Sequence, residues 1–115
     1  MSENEKFTLI AGSQMFIKEA SLLVAHMPRD FRQTLGWNIM EYGIKADLLI
    51  NKAVSYKEKR IENINEAIDM IKLVARLINV VVDINRDFYK QCGNILKSIE
   101  NLKGMLLGFR NQTLK

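Results

Sequence analysis

Between Ile61 and Val82, the apolar residues Ile61, Ile64, Ile68, Ile71, Ala75, Ile78 and Val82 recur at gaps of three and four without a slip. That spacing places all seven on one seam of an α-helix. A helix of this length spans about 33 Å at 1.5 Å per residue, and in water it needs partners to cover the seam. Leu73, Leu77, Val80, Val81 and Ile84 lie off the seam and widen it. A helix apolar on more than one side is expected to be central or to face another subunit. The run Leu77–Val82 is rich in β-branched residues and resembles a strand, but the helical spacing on both sides of it favours helix. Lys72, Arg76 and Asp83 interrupt any apolar window long enough to span a bilayer, so no membrane partner is expected.

The remainder of the chain supplies three further helical patterns. Residues up to about Gly12 show no clean period and are expected to form a frayed arm. Phe16, Ala20, Leu23 and Met27 mark a first helix over about 13–27, and Pro28 ends it. Proline also suits the first turn of a following helix, so the second, over about 29–55, follows directly. Its seam is Phe31, Leu35, Ile39, Tyr42, Ala46, Leu49 and Ala53. After the charged connection Tyr56–Arg60, the third helix covers 60–84. The fourth, over 86–109, carries Phe88, Cys92, Ile95, Ile99, Leu102, Leu106 and Phe109 at the same alternation. With 115 residues, one proline and no strand signal, the chain is expected to be one all-α domain over 1–115. The expected architecture is an antiparallel up-down-up-down four-helix bundle.

Several chemistries lack their residues. His26 is the only histidine and Cys92 the only cysteine. A di-iron bundle needs two Glu-x-x-His motifs and a zinc site several Cys or His ligands. There is no glycine-rich phosphate loop and no nucleophile elbow. Helical ribonucleases of the HEPN type carry an arginine followed by a histidine, whereas here His26 precedes Arg29 and Arg32. The expectation is a non-enzyme with no metal and no cofactor. The single cysteine excludes an internal disulfide, and the acidic start MSENEKFTLI has no apolar leader region, so a cytoplasmic protein is expected.

Charge is unevenly placed. Up to residue 85 there are 11 Lys/Arg and 11 Asp/Glu, whereas Arg86–Lys115 holds 6 basic and 2 acidic residues. The whole net charge of +4 therefore falls in the last segment, as an anionic partner would require; solubility and helix-end electrostatics give the plainer account. Lys90, Asn94, Lys97 and Asn101 form a basic, amide-rich strip, with Lys103 and Arg110 as a further basic pair. Lys72 and Arg76 share a face of the third helix, which mildly destabilises it unless an anion or an acidic side chain meets them. On the second helix Trp37, Met40, Ile44 and Leu48 make an apolar row off the seam, flanked by Gly36 and Gly43. Glycine inside a helix costs about 1 kcal/mol relative to alanine. Two at this spacing point to close helix approach, and the row is a candidate subunit contact.

The segment Met27-Pro28-Arg29-Asp30-Phe31-Arg32-Gln33-Thr34-Leu35-Gly36 resembles the FPR-x-x-R-x-T-L-G signature of the Avd family, the accessory variability determinants of diversity-generating retroelements. Lys72-Leu73-Val74-Ala75-Arg76-Leu77 is similar to that family's L-R-x-x-L-R-L stretch. Glu100-Asn101-Leu102-Lys103-Gly104-Met105-Leu106-Leu107-Gly108-Phe109 is similar to its E-E-I-G-R-M-L-G-G-W ending, with Lys103 at a glycine position and Gly104 at an arginine position. The resemblance implies a barrel-like homopentamer of four-helix bundles that binds the reverse transcriptase and its template RNA, with the cDNA as a further nucleic-acid partner. Lys90 and Lys97, then Lys72 and Arg76, are the expected contacts. Arg29 and Arg32 match the signature, although arginines at a tight helix junction commonly bond free carbonyls or acids. The same superfamily holds proteins encoded by intervening sequences in ribosomal RNA genes, and the alternative is such an oligomeric bundle without nucleic acid.

Overall fold

A computed structural model describes residues 1–115 as an all-α fold with no strand. Four long helices dominate: α1 (Glu3–Ala25), α2 (Trp37–Ser55), α3 (Arg60–Ile84) and α4 (Gly93–Leu114). Each packs mainly on two others: α1 on α2 and α4, and α3 on α2 and α4, with α2 against α3 the most extensive pairing. The molecule measures 44 × 20 × 18 Å, while α3 alone is about 37 Å long at 1.5 Å per residue. The helices therefore lie along the long axis around one core of 24 buried apolar residues. On α3, Ile64, Ile68, Ile71 and Ile78 are buried, together with Ala67, Val74 and Val81 on one flank of their row. Ile61, Ala75 and Val82, on the other flank, are half-buried.

Helix α1 starts at Glu3, so the N-terminal segment is not a frayed arm. A capping box begins it: the Glu5 N–H donates to Ser2 Oγ (3.2 Å) and the Ser2 N–H donates to Glu5 Oε1 (3.3 Å). Two orphan donors of the first turn are thus satisfied. The bond from the Ser2 backbone, then the one with its side chain, holds the Glu5 carboxyl below its ordinary range. Its contribution to the cap is present above the ordinary glutamate pKa and is lost as pH falls through the depressed folded value. Leu9 is fully buried, and so is Ser13, whose Oγ donates to Asp47 Oδ1 on α2 at 2.6 Å. Gly12 and Ser13 occupy inward positions that an apolar residue would otherwise mark, which hides the period there.

The second helix is not one regular element over 29–55. Pro28 opens a short α-turn (Arg29–Phe31), a π-helical segment (Arg32–Gly36) follows, and only then does α2 begin. Gly36 faces α1 closely: a Cβ built there would lie 3.0 Å from Val24 Cγ1 and 3.2 Å from Met27 Sδ. The fourth helix is likewise divided. Arg86–Cys92 is 3₁₀, and α4 proper runs from Gly93 to Leu114, beyond residue 109.

Between α2 and α3, Lys59 adopts the left-handed conformation (φ 58°). Arg60 then turns back, its Nε donating to the Ala53 carbonyl (2.6 Å) and its Nη2 to the Val54 carbonyl (3.3 Å). These are orphan acceptors in the last turn of α2. The same guanidinium sits 5.1 Å from the Phe109 ring centroid, so it also engages α4.

Two glycines should respond oppositely to alanine. At Gly12 the new methyl meets the flexible end of Met105, which can rotate aside. Gly12→Ala is expected to be neutral or to stabilise by up to about 1 kcal/mol, the helix-propensity gain. At Gly36 it meets the stiff, β-branched Val24, and Gly36→Ala is expected to cost about 1–3 kcal/mol, as overpacking does. Urea denaturation of the two variants measures the difference.

Candidate functional site

The surfaces fall into three groups, each set by which helix flank is turned away from the core. The first lies on α4 and the segment before it. Asn94, Lys97 and Asn101 are exposed on α4, and Lys90 is exposed in the 3₁₀ segment. Lys90 and Lys97 therefore do not share one α-helix. Three residues at three per turn nonetheless bring Gly93 back to the azimuth of Lys90, and four further residues add only about 40° at 3.6 per turn. The two amines project from nearly one side. Neither ion-pairs: the chain's only salt bridges are Lys6–Glu3 (3.7 Å) and Lys103–Glu100 (3.4 Å).

The second surface lies between α3 and α4. An open groove of about 600 Å³ is lined by Asp69, Lys72, Leu73, Ala75, Arg76, Asn79 and Lys103. Lys103 thus joins Lys72 and Arg76 across a helix boundary, which no spacing within either helix reveals. Its contact with Glu100 is an exposed ion pair, a class that contributes about 0–1 kcal/mol and yields readily to a ligand. Arg110, seven residues on, is not its companion at this groove. Its Nη1 donates to Asn65 Oδ1 at 2.8 Å, a tie between α4 and α3.

The third surface is apolar and lies over α1 and α2. Trp37 is 71% exposed, Leu48 57% and Ile44 48%, while Met40 is half-buried beside the core. Val24, Arg32, Gly36, Trp37, Met40, Glu41 and Ile44 line an open groove of about 580 Å³. Phe7, Met15 and Leu22 of α1 are also exposed, Leu22 on the side toward α4, beside Gln91, Asn94 and Ile95. Phe7 falls in the segment expected to be frayed, whereas Met15 and Leu22 lie within the expected first helix but off its seam of Phe16, Ala20, Leu23 and Met27. Arg29 and Arg32 are exposed, and neither guanidinium bonds a carbonyl or acid of this chain. The residue that performs that structural task is Arg60. By length and composition α1 is apolar enough to cross a bilayer, but Leu9, Phe16, Ala20 and Leu23 are packed into the core.

The titratable interior is sparse. No group of three or more His, Cys, Asp or Glu side chains converges. His26 is exposed at the end of α1, its Nδ1 2.7 Å from the Leu22 carbonyl oxygen. Cys92 is fully buried, its Sγ donating to the Phe88 carbonyl (3.4 Å), and burial raises its pKa. A protonated, inaccessible thiol reacts slowly. The native protein is therefore expected to resist a thiol-specific disulfide reagent at neutral pH and to react promptly in denaturant. Absorbance of the released thiolate follows both. No family model, curated protein or solved structure matches the chain.

Proposed function

We propose that this chain is a non-catalytic accessory protein of a diversity-generating retroelement, an antiparallel four-helix bundle that assembles as a homo-oligomer and binds the reverse transcriptase and its template RNA. The observation that carries the proposal is the strip Lys90, Asn94, Lys97 and Asn101: exposed, and with both amines free of ion pairs. Free ammonium groups neutralise phosphates and release counterions, while neighbouring amides can bond sugar and phosphate oxygens. The resemblance at Met27–Gly36 supplies the retroelement context and the pentameric stoichiometry.

Paired contacts support the antiparallel order. Gly36 faces Val24, Gly43 faces Ile17 and Ser13 bonds Asp47, the rising-against-falling order that an antiparallel α1–α2 pair would give. The exposed apolar row Trp37, Ile44 and Leu48, with Met40 beside it, supports self-association, since contiguous apolar patches mark interaction sites. Symmetric copies would multiply one weak basic strip through avidity.

Two measurements test the proposal. Structured template RNA and the reverse transcriptase are each pulled down across a salt series with the purified protein and with a Lys90→Glu/Lys97→Glu variant of unchanged oligomeric mass. Salt-sensitive RNA binding, lost in the variant, is the expected result; binding of neither partner sinks the proposal. Light scattering supplies the second: the protein is expected to exceed its monomer mass, and Trp37→Glu/Leu48→Glu to lower that mass.

A further inference from the structure

We infer that the groove between the end of α1 and the start of α4 is a pocket for a guanine base. Its floor is apolar, made by Leu23 and Ile95, both buried. One wall comes from the end of α1: Glu19, Leu22 and, just past the last turn, His26. The other wall is Gln91 of the 3₁₀ segment and Asn94 in the first turn of α4. The groove holds about 320 Å³, the small end of the range of ligand pockets, about 300–1,000 Å³. That space suits one base.

The donor and acceptor pattern selects the base. Glu19 is half-buried and forms no ion pair, so its carboxylate offers two acceptor oxygens to the groove. Guanine is the one common base with two adjacent donors, N1–H and the N2 amino group, on a single edge, and a carboxylate accepts from both. Adenine and cytosine set an acceptor nitrogen beside the amino group, and uracil sets two carbonyls beside its N–H. Each of these turns a lone pair toward one carboxylate oxygen. Gln91 and Asn94 are exposed carboxamides on the facing wall, and their amino groups donate to guanine O6 and N7, both acceptors. His26 Nδ1 lies 2.7 Å from the Leu22 carbonyl oxygen, which fixes the imidazole over the last turn of α1. The ring and the half-exposed Leu22 side chain supply the face on which an unstacked base lies.

The same residues argue against other occupants. Glu19 repels a phosphate that enters alone. Glu19 and His26 are too few ligands for a metal site. Leu22 is the one exposed apolar side chain of the groove, too little to seat an amphipathic helix. Guanine has two sources, an RNA strand or a free nucleotide. Position favours the strand: Asn94 belongs both to the groove and to the basic strip, Lys90 immediately precedes Gln91, and Lys97 stands one turn beyond Asn94. The two amines thus bracket the Gln91–Asn94 wall, and phosphates held there carry an unpaired base past the pocket. The strand as source rests on the proposed RNA binding and adds to it which base that surface selects.

The test uses the full chain and three fluorescein-labelled single-stranded oligouridines. One carries a central guanosine, the second inosine, which lacks the N2 amino group, and the third adenosine. By fluorescence anisotropy the guanosine probe is expected to bind about tenfold or more tighter than either twin, roughly 1.4 kcal/mol per tenfold. Glu19→Gln is expected to erase the difference between guanosine and inosine. Gln91→Ala/Asn94→Ala is expected to weaken those two probes alike, because both present O6 and N7. Lys90→Glu/Lys97→Glu is expected to weaken all three. Far-UV circular dichroism checks that every variant keeps its helix content. Equal affinity of the native protein for the three probes overturns the pocket and leaves RNA binding standing, as does a guanosine preference that survives Glu19→Gln. Binding of no probe, or binding that Lys90→Glu/Lys97→Glu leaves unchanged, overturns the RNA reading instead. In that case guanosine 5′-monophosphate is titrated while NMR follows the Gln91 and Asn94 side-chain amides. Their shift assigns the pocket to the free nucleotide, and its absence overturns the pocket as well.

Discussion

Removing the inner face of α3 from water is the interaction on which the other helices depend. Ile64, Ile71 and Ile78 are wholly inaccessible and Ile68 nearly so. Each fully buried side chain of this size contributes about 1.5–3 kcal/mol relative to exposure, and no single neighbour can cover so wide a face. Helix α2 takes one flank and α4 the other. Helix α1 then closes the remaining side through its own contacts with α2 and α4. The order of burial explains why small residues concentrate where α1 meets its neighbours: Gly12 toward α4, Gly36 and Gly43 toward α1 from the second helix, and Ser13 bonded to Asp47.

Once the core is assigned, the surface follows with little freedom. Each helix turns one flank inward and leaves the rest to solvent, so the side of α3 opposite its isoleucines must carry whatever function requires there. That side is not uniformly polar. Its early turns hold Glu62, Glu66 and Asp69, its middle Lys72 and Arg76, and its end the exposed Val80 and Ile84. Acids before bases suit the helix dipole, but the exposed aliphatic end has no such rationale within one chain. The same holds for Trp37 and Phe7 on the other side of the molecule.

How much of this was legible in the sequence depends on whether local pattern or tertiary contact decided the outcome. The seam of the last helix is fully legible: Phe88, Cys92, Ile95, Ile99, Leu102, Leu106 and Phe109 are all buried. On α3 the spacing located the inward side but centred it on Ala75 and Val82, whereas Val74 and Val81 are the buried pair, because the positions of α2 and α4 set the exact flank. The start of α1 was obscured by Gly12 and Ser13, and its cap, Ser2 with Glu5, was the available signal. The π-helical segment at Arg32–Gly36 has no signature in composition or period. The meeting of Lys103 with Lys72 and Arg76 is a fact about two helices packed side by side, and one-dimensional spacing does not contain it.

Arg60 bonds the end of α2, begins α3 and lies against Phe109 of α4. One side chain thus performs at that end of the molecule what a connecting loop would otherwise have to do by its own conformation. The residues it spans, Tyr56 to Lys59, are all exposed and carry no part of the core. Apart from Lys59, whose left-handed backbone restricts its replacements, their sequence is released from structural duty, and Tyr56 to Glu58 become a place where the molecule can accept change without loss of its shape.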